Sequence, residues 1–291
     1  MTPLFQSAAV APPKWRGLVA LLGACALVSA MAPAALAESE TSAWVQGFNN
    51  KARLLSGGSA HGQADTRYVG LEISMLPDWK TYWRSPGDAG GVPPEFDWSG
   101  SQNLAAARVL FPAPHRLVDK SGTAIGYKDS VIFPVEITAK SPAEPVQLKL
   151  TVSYGVCKDI CIPAEASFEI TVPADIKISA EISAAHALVP RSPPNTVTDP
   201  VLNSWMIVRS GSKPQITLEV DDPAPGATDA FVEAPDGLFL PLPVRVSTAA
   251  GRSIFSVDLT QGADEAALKH KTLTVTLVGA KGQSETTIRI D

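Results

Sequence analysis

Apolar and polar residues alternate along most of the chain after about residue 42, which is the pattern of half-buried β-strands. In the run Val146–Tyr154, every second residue is apolar and is predicted to face inward. Turn-forming Gly, Pro and Asp residues separate such runs, so the pattern indicates strands and not helices. Short strands between turns predict an all-β fold built as an antiparallel sandwich. The same alternation appears in Arg67–Met75, Val131–Thr138 and Ala166–Val172.

One of these runs is interrupted by a proline. Pro134 lies in the middle of Val131–Thr138 and has no N–H to donate to a neighbouring strand. Prolines within sheets are confined to edge strands, strand starts and bulges. This run is therefore predicted to be an edge strand or a bulged strand.

The middle of the chain has a different pattern. Residues Pro173–Pro200 lack the alternation, and the alanine-rich stretch Ile178–Leu188 is predicted to form a short helix. Pro190–Asn195 is incompatible with regular structure, so a linker is predicted here. Further alternating runs predict the strands of a second β unit: Trp205–Arg209, Gln215–Val220, Ala230–Glu233, Val244–Ser247, Ser253–Leu259, Thr272–Val278 and Thr286–Ile290.

The N-terminus has the layout of an export signal. Lys14 and Arg16 precede an apolar run, Gly17–Ala30, and Ala35–Ala37 supplies a small-x-small cleavage site. This three-part order is typical of a secretory signal peptide. Lipoprotein processing at Cys25 is an alternative. No later segment reaches the roughly 18 uninterrupted apolar residues of a membrane span, so the mature chain is expected to be soluble.

These features divide the chain into four segments. We predict a cleaved signal peptide at residues 1–37, a first β-sandwich at 38–175, a Pro-rich linker at 176–200 and a second β-sandwich at 201–291. The second unit contains no cysteine and no cluster of chemically reactive side chains. Its expected role is that of a spacer or docking surface, and the chemistry is expected in the first unit.

Composition narrows the class of partner. Hydrophobic residues make up 45% of the chain and charged residues 18%, which is enough apolar material for a buried core. The formal net charge is -5. Nucleic acid requires a basic face, so this mildly acidic chain is not expected to bind it.

Two cysteines, Cys157 and Cys161, remain after the signal peptide is removed. Export places them in a compartment where disulfides form and persist. In an extended chain, residues at this spacing would be about 13 Å apart, whereas a disulfide needs Cα atoms about 4.4–6.8 Å apart. The segment must therefore turn for the sulfurs to meet. Lys158 and Asp159 can supply the turn, and Pro163 fixes the exit from it.

Three roles are open for this cysteine pair. Closing so short a loop stabilises a fold by about 2 kcal/mol, which favours thiol exchange over a structural bond. Two thiolates could instead bind Cu(I), as in a copper-tolerance protein. A zinc site would need two more ligands. No dissociable cofactor is expected, and the histidines are scattered along the sequence at His61, His115, His186 and His270.

Aromatic residues near the cysteines are candidates for shielding a disulfide. Tyr154 precedes the pair, and Tyr82 and Trp83 lie upstream of it. Each could pack in the core, or wall the disulfide and control the access of other thiols. Lys158 would favour a thiolate in the neighbouring cysteine, and Asp159 would oppose it.

Five stretches carry a resemblance to a known family: Thr81–Gly90, Pro93–Trp98, Gly126–Tyr127, Val131–Val135 and Tyr154–Glu165. Together they resemble the periplasmic N-terminal domain of the thiol:disulfide interchange protein DsbD, and most closely its copper-sensitivity suppressor branch, ScsB. The second β unit, including Phe231–Gly237, is similar to the second sandwich of the ScsB periplasmic region.

The resemblance implies an immunoglobulin-like sandwich in the periplasm with a redox-active cysteine pair. In this family the domain takes electrons from a membrane electron-donor protein. It passes them to periplasmic thioredoxin-fold or other thiol proteins, as part of a protein-disulfide reductase. By the motif match, Cys161 forms the mixed disulfide with partners and Cys157 resolves it. Cu(I) handling through the same thiols and a non-catalytic module with a structural disulfide remain alternatives.

Three features depart from the family pattern. The cysteines of DsbD itself are more widely spaced, and three intervening residues fit the ScsB branch better. The family's aromatic cap loop is not evident, because Leu117–Gly122 contains no aromatic residue. The sequence ends at Asp291 without a membrane domain or a thioredoxin-like domain. Either a separate membrane protein is therefore expected to reduce this protein, or the protein has another role.

Overall fold

The structure is a computed structural model in which nearly all regular structure is antiparallel β. The predicted signal peptide, Cys25 and His61 lie outside the described residues. Within the part of the chain that the structure describes, no helix has the length and apolarity needed to cross a bilayer. The described ranges are 41–59, 66–120, 122–175, 177–210 and 213–291.

Two sheets form the first sandwich. One is five-stranded and the other six-stranded, and buried residues from both make one hydrophobic core. Their strands are β1 (Val45–Gly47), β2 (Asn50–Ser59), β3 (Thr66–Met75), β4 (Lys80–Tyr82), β5 (Glu95–Asp97), β6 (Leu104–Val109), β7 (His115–Asp119), β8 (Gly122–Lys128), β9 (Ser130–Ala139), β10 (Val146–Cys157) and β11 (Cys161–Val172). The first sheet has the order β1-β2-β3-β9-β6. The second has the order β11-β10-β4-β8-β7, and β5 also pairs with β10.

The core of this sandwich follows the alternation in the sequence. β10 and β11 pair without a register shift, from Val146 opposite Val172 to Cys157 opposite Cys161. The alternate buried residues of the two strands, from Val146 to Val156 and from Ala166 to Val172, therefore share one face. Each fully buried aliphatic side chain stabilises the fold by about 1.5–3 kcal/mol, and this face therefore holds the two sheets together. The predicted inward residues are confirmed as buried: Val131, Phe133, Val135 and Ile137 in β9, Val146, Leu148, Leu150, Val152 and Tyr154 in β10, and Phe168, Ile170 and Val172 in β11.

The strand that contains Pro134 is central, so the prediction of an edge or bulged strand is wrong. β9 lies between β3 and β6, and its pairing with β3 continues without a register shift through Pro134. Pairing with β6 ends at Val109–Val135, next to the proline. The Pro134 carbonyl still accepts a hydrogen bond from the Leu110 N–H at 2.7 Å. The missing N–H therefore faces β6 where that ladder ends, and the pairing with β3 is unaffected.

The connector between the two sandwiches contains the expected short helix. This helix, α1 (Ala180–Ala187), is capped by Ser179, whose hydroxyl accepts a hydrogen bond from the Ile182 N–H at 3.3 Å. Ile182 is fully buried against Leu55 and Tyr68 of the first sandwich. The helix is therefore packed against the first sandwich.

Two further sheets form the second sandwich around a separate core. Every strand predicted for this unit overlaps an observed one, and the all-β, immunoglobulin-like architecture is confirmed. The strands are β12 (Val201–Ser210), β13 (Lys213–Asp221), β14 (Asp229–Glu233), β15 (Val244–Ala249), β16 (Arg252–Asp258), β17 (Thr272–Val278) and β18 (Gln283–Arg289), and α2 (Glu265–Leu268) precedes β17. The sheet orders are β12-β13-β16-β15 and β14-β17-β18.

Candidate thiol–disulfide site

A β-hairpin brings the two cysteines together. Cys157 ends β10 and Cys161 begins β11, and the two residues are direct cross-strand partners joined by a disulfide. Their Cα atoms are 4.2 Å apart, close to the roughly 4.5 Å of a non-hydrogen-bonded antiparallel pair. The predicted turn between them is closed by a hydrogen bond from the Lys158 N–H to the Ile160 carbonyl at 3.1 Å.

The two halves of the disulfide have different environments. Cys157 is 1% exposed and packs with Tyr82, Leu117 and Ala124 in a small cluster on the outer face of the six-stranded sheet. Cys161 is exposed at the start of β11, and the preceding Ile160 is 65% exposed. An incoming thiol therefore has access to the disulfide from the Cys161 side.

Tyr82 is the polar group in contact with both sulfurs. Its hydroxyl lies 3.0 Å from the Cys157 Sγ and 3.0 Å from the Cys161 Sγ, and the residue is 3% exposed. Burial, reinforced by the negative charge of Asp119, raises the pKa of Tyr82 above its usual value of 10.0. The phenol consequently keeps its proton at neutral pH. In the reduced protein it can donate a hydrogen bond to a cysteine thiolate, which stabilises the charged form.

A segment of the chain covers this outer face. Residues 85–94, called the cover segment below, follow β4 and are fixed to the sheet by backbone hydrogen bonds at both ends. The Gly155 N–H donates to the Val92 carbonyl at 3.0 Å, and the Ile125 N–H donates to the Pro86 carbonyl at 2.8 Å. Gly91 lies directly against Tyr82, because a Cβ atom there would be 2.3 Å from the tyrosine ring. The Gly90-Gly91 pair thus lets the backbone cover the tyrosine closely.

A lysine that the sequence did not single out lies beside the buried sulfur. Lys80 of β4 is the cross-strand partner of Cys157, so both side chains project from the same face of the sheet. The Lys80 side chain is 8% exposed and forms an ion pair with Asp119. Lys158, the cation expected to favour a thiolate, is instead 42% exposed and pairs with Asp78 at 3.2 Å. The buried cation on the Cys157 side is therefore Lys80.

The other two candidate shielding aromatics lie in the core between the sheets. Tyr154 is buried there, and its hydroxyl donates to the Asn50 Oδ1 at 2.6 Å. Trp83 belongs to the same core cluster, and its ring centroid is 5.7 Å from that of Phe231. Of the three aromatics, Tyr82 is thus the one with a hydrogen-bond contact to the sulfurs.

The described histidines are dispersed over the fold. His115 is in β7, His186 contacts the ring of Tyr68 from α1, and His270 follows α2. Among the described residues, no group of three or more His, Cys, Asp and Glu side chains is positioned to hold a metal ion.

Known proteins provide an independent comparison. Residues 51–173 match the profile of the family described as "Thiol:disulfide interchange protein DsbD, N-terminal". No curated protein matches the sequence significantly. The crystal structure of the N-terminal periplasmic domain of ScsB from Proteus mirabilis superposes with a TM-score of 0.64 at 20% identity. That alignment covers 86% of this chain and 98% of the other, and it establishes similarity of fold.

A second solved structure is a marsupial T cell receptor. It aligns with 83% of this chain and 62% of its own, at 11% identity and a TM-score of 0.22. Similarity at this level supports no conclusion. The family match and the ScsB superposition therefore carry the comparison.

Proposed function

We propose, from the premise that residues 51–173 belong to the DsbD N-terminal family, that the Cys157–Cys161 disulfide passes electrons between proteins. The observation that carries the proposal is the difference in exposure between the two sulfurs. Cys161 is exposed, whereas Cys157 is 1% exposed and lies beside the Tyr82 hydroxyl. A partner thiol is therefore directed to the Cys161 sulfur. The Cys157 sulfur is the leaving group when the disulfide is attacked, and it resolves the mixed disulfide when the protein is reduced.

The exchange proceeds in two balanced steps. In the reduced protein, the Cys161 thiolate attacks a partner disulfide, forms a mixed disulfide and releases the partner's other sulfur as a thiolate. The Cys157 thiolate then attacks the Cys161 Sγ, which reforms the internal bond and releases the second partner thiolate. The partner gains two electrons, and this protein is oxidised. The Tyr82 hydroxyl favours the thiolate form of Cys157 before it attacks.

The partners follow from the same chemistry. Oxidised protein must be reduced again, and we assign that step to a membrane electron donor of the DsbD or ScsB type. The proposed substrates are exported thiol proteins, including those with a thioredoxin fold. A periplasmic location is supported by the secretory signal layout of residues 1–37 and by the similarity to a periplasmic domain of ScsB. No dissociable cofactor is required, because the electrons are transferred by breaking one disulfide bond and forming another.

Native-state reduction separates exchange from a structural bond. Dithiothreitol at neutral pH is expected to open the bridge without denaturant, because Cys161 is exposed. Reduction should lower the free energy of unfolding by about 2 kcal/mol, since the bond closes a very short loop. The measurement is urea unfolding of the oxidised and reduced proteins. A bridge that resists dithiothreitol in the native state, or whose reduction unfolds the domain, would contradict the proposal.

A further inference from the structure

The residues that enclose the buried Cys157 sulfur lie next in sequence to residues that contact the second sandwich. Tyr82 and Leu117 pack against Cys157. In the sequence, Tyr82 is followed by Trp83 and Arg84, and Leu117 is preceded by Arg116. We propose that the second sandwich, through Asp229 and its neighbours, holds β7 and β4 in the position that keeps Cys157 enclosed, with Arg116 as the main positioning residue.

Arg116 binds the second sandwich through two of its guanidinium nitrogens, Nε and Nη2. Its Nε donates to both carboxylate oxygens of Asp229, at 2.9 and 2.8 Å. Its Nη2 donates to the carbonyls of Ala230 and Pro243, at 3.1 and 2.7 Å. The guanidinium carbon also lies 5.6 Å from the centroid of the Phe231 ring. A planar guanidinium group that donates to several fixed acceptors can satisfy them in one orientation. The Arg116 side chain therefore fixes the position of the β7 backbone that carries it.

β7 depends on such an anchor because of its place in the sheet. It contains the five residues His115–Asp119 and lies at the edge of its sheet, where it pairs with β8. This short strand carries both Leu117, which contacts the Cys157 cluster, and Asp119, which pairs with Lys80. A shift of β7 would therefore loosen the apolar wall and the charged wall of the buried sulfur together.

The strand that carries Tyr82 has a second anchor. Arg84, two residues beyond Tyr82, makes a two-pronged ion pair with Glu233, with contacts of 2.7, 3.0 and 3.1 Å, and also pairs with Glu285. Burial opposes its charge, but the hydrogen bonds and charges of Glu233 and Glu285 outweigh that cost and raise its pKa. Between Tyr82 and Arg84, the fully buried Trp83 packs on Phe231.

The cover segment touches the second sandwich as well. The Leu242 N–H donates to the Asp88 Oδ1 at 3.2 Å. A cavity of about 390 Å³ lies between this segment and the second sandwich, with Pro86, Ile125 and Leu240 in its lining. Three of the structures around Cys157, namely β4, β7 and the cover segment, are therefore attached to the second sandwich. That unit is a support for the site.

The test is the protection of Cys157 in the full-length, chemically reduced protein. Native wild-type and variant proteins are treated with iodoacetamide, and the label on each cysteine is quantified by peptide mass spectrometry. Arg116→Ala is expected to raise the labelling rate of Cys157 relative to Cys161 about threefold to fivefold, because the opening of β7 becomes easier. Arg116→Lys keeps the positive charge without the planar guanidinium group. Its Cys157 labelling rate is expected to lie between those of the wild type and Arg116→Ala.

The matched control is Arg252→Ala. Arg252 pairs with Glu219 and Asp221 within the second sandwich, is 55% exposed and is remote from β7 in the sheet order. Arg252→Ala should leave the ratio of Cys157 labelling to Cys161 labelling unchanged. Asp229→Asn breaks the Arg116 pair from the other side and should reproduce the shift if Arg116→Ala does not fold. A folded Arg116→Ala or Asp229→Asn protein with wild-type protection of Cys157 would overturn the inference.

This inference rests on the proposed function, because enclosure of Cys157 matters only if the disulfide exchanges with other proteins. Its test does not require that exchange. Labelling is measured on protein reduced beforehand, so the ratio can be read even if the disulfide never exchanges with another protein. Failure of the proposed function would appear as a bridge that is inert to other thiols. Failure of the inference would appear as unchanged Cys157 protection in the variants.

Discussion

Replacing Cys157 with serine is expected to convert the protein into a trap that holds a partner on Cys161 as a stable mixed disulfide. The exposed sulfur can still attack, but the buried one that would release the partner is gone. Cys161→Ser is expected to abolish capture, because the remaining thiol of Cys157 is enclosed by Tyr82 and Leu117. The measurement is non-reducing electrophoresis after mixing each reduced variant with a thioredoxin-fold protein that keeps one active-site cysteine, oxidised as a mixed disulfide with glutathione, so that the partner has no second thiol to reverse the capture.

The two cysteine variants serve as matched controls for each other. Each lacks the disulfide and therefore loses the same loop constraint of about 2 kcal/mol, so a difference between them reflects the position of the remaining sulfur. We expect capture by Cys157→Ser to exceed capture by Cys161→Ser on the order of 100-fold, which follows from burial of the remaining thiol. Equal capture, or capture by Cys161→Ser alone, would reverse the assignment of roles.

Replacing Tyr82 with phenylalanine is expected to slow thiol labelling of the reduced protein at neutral pH about tenfold. The tyrosine hydroxyl lies 3.0 Å from each sulfur, and a hydrogen bond to a charged group contributes about 1.5 kcal/mol, which corresponds to about a tenfold change in the fraction of thiolate. Its loss removes stabilisation from the thiolate and leaves the neutral thiol unaffected. The pH profile of thiol labelling should therefore shift upward, and the rate at pH 7 should fall about tenfold.

The matched control for this variant is Tyr127→Phe. Tyr127 is also buried, but its hydroxyl donates to the Pro112 carbonyl at 2.8 Å and not to a sulfur. It should leave the pH profile of labelling unchanged, although it removes a buried hydrogen bond. A Tyr82→Phe profile that superposes on that of the wild type would show that the hydroxyl does not stabilise the thiolate.

The strands could be predicted from the sequence because the signal is local. The alternation of apolar and polar residues in β10 and β11 shows which face of the sheet each residue occupies. It can be recognised without knowing which strands pair with each other. The same rule could also have placed Tyr154, which the sequence analysis kept as a candidate shield. Tyr154 shares its face with the core residue Val152, whereas Cys157, an odd number of positions away, projects from the other face. Applied to β10, the alternation alone argues against Tyr154 as a shield.

The surroundings of the buried sulfur could not be predicted in this way. Lys80 and Leu117 reach Cys157 because β4 pairs with β10 and β7 reaches the site through β8, and these pairings join distant parts of the sequence. From the sequence alone, the glycines at 90 and 91 indicate a turn, which is the usual meaning of such a pair. Only the packing of Gly91 on the Tyr82 ring shows that the segment covers the site.

The reversibility of the disulfide tests the central claim most directly. Oxidised and reduced samples of the wild-type protein are incubated separately in glutathione buffers of graded ratio, quenched with acid and assayed for free thiols. We expect the two series to converge on one titration curve without loss of folded structure, because the exposed Cys161 exchanges freely while the fold does not depend on the bond. Two series that never converge, with the bridge inert in the native protein, would contradict the claim.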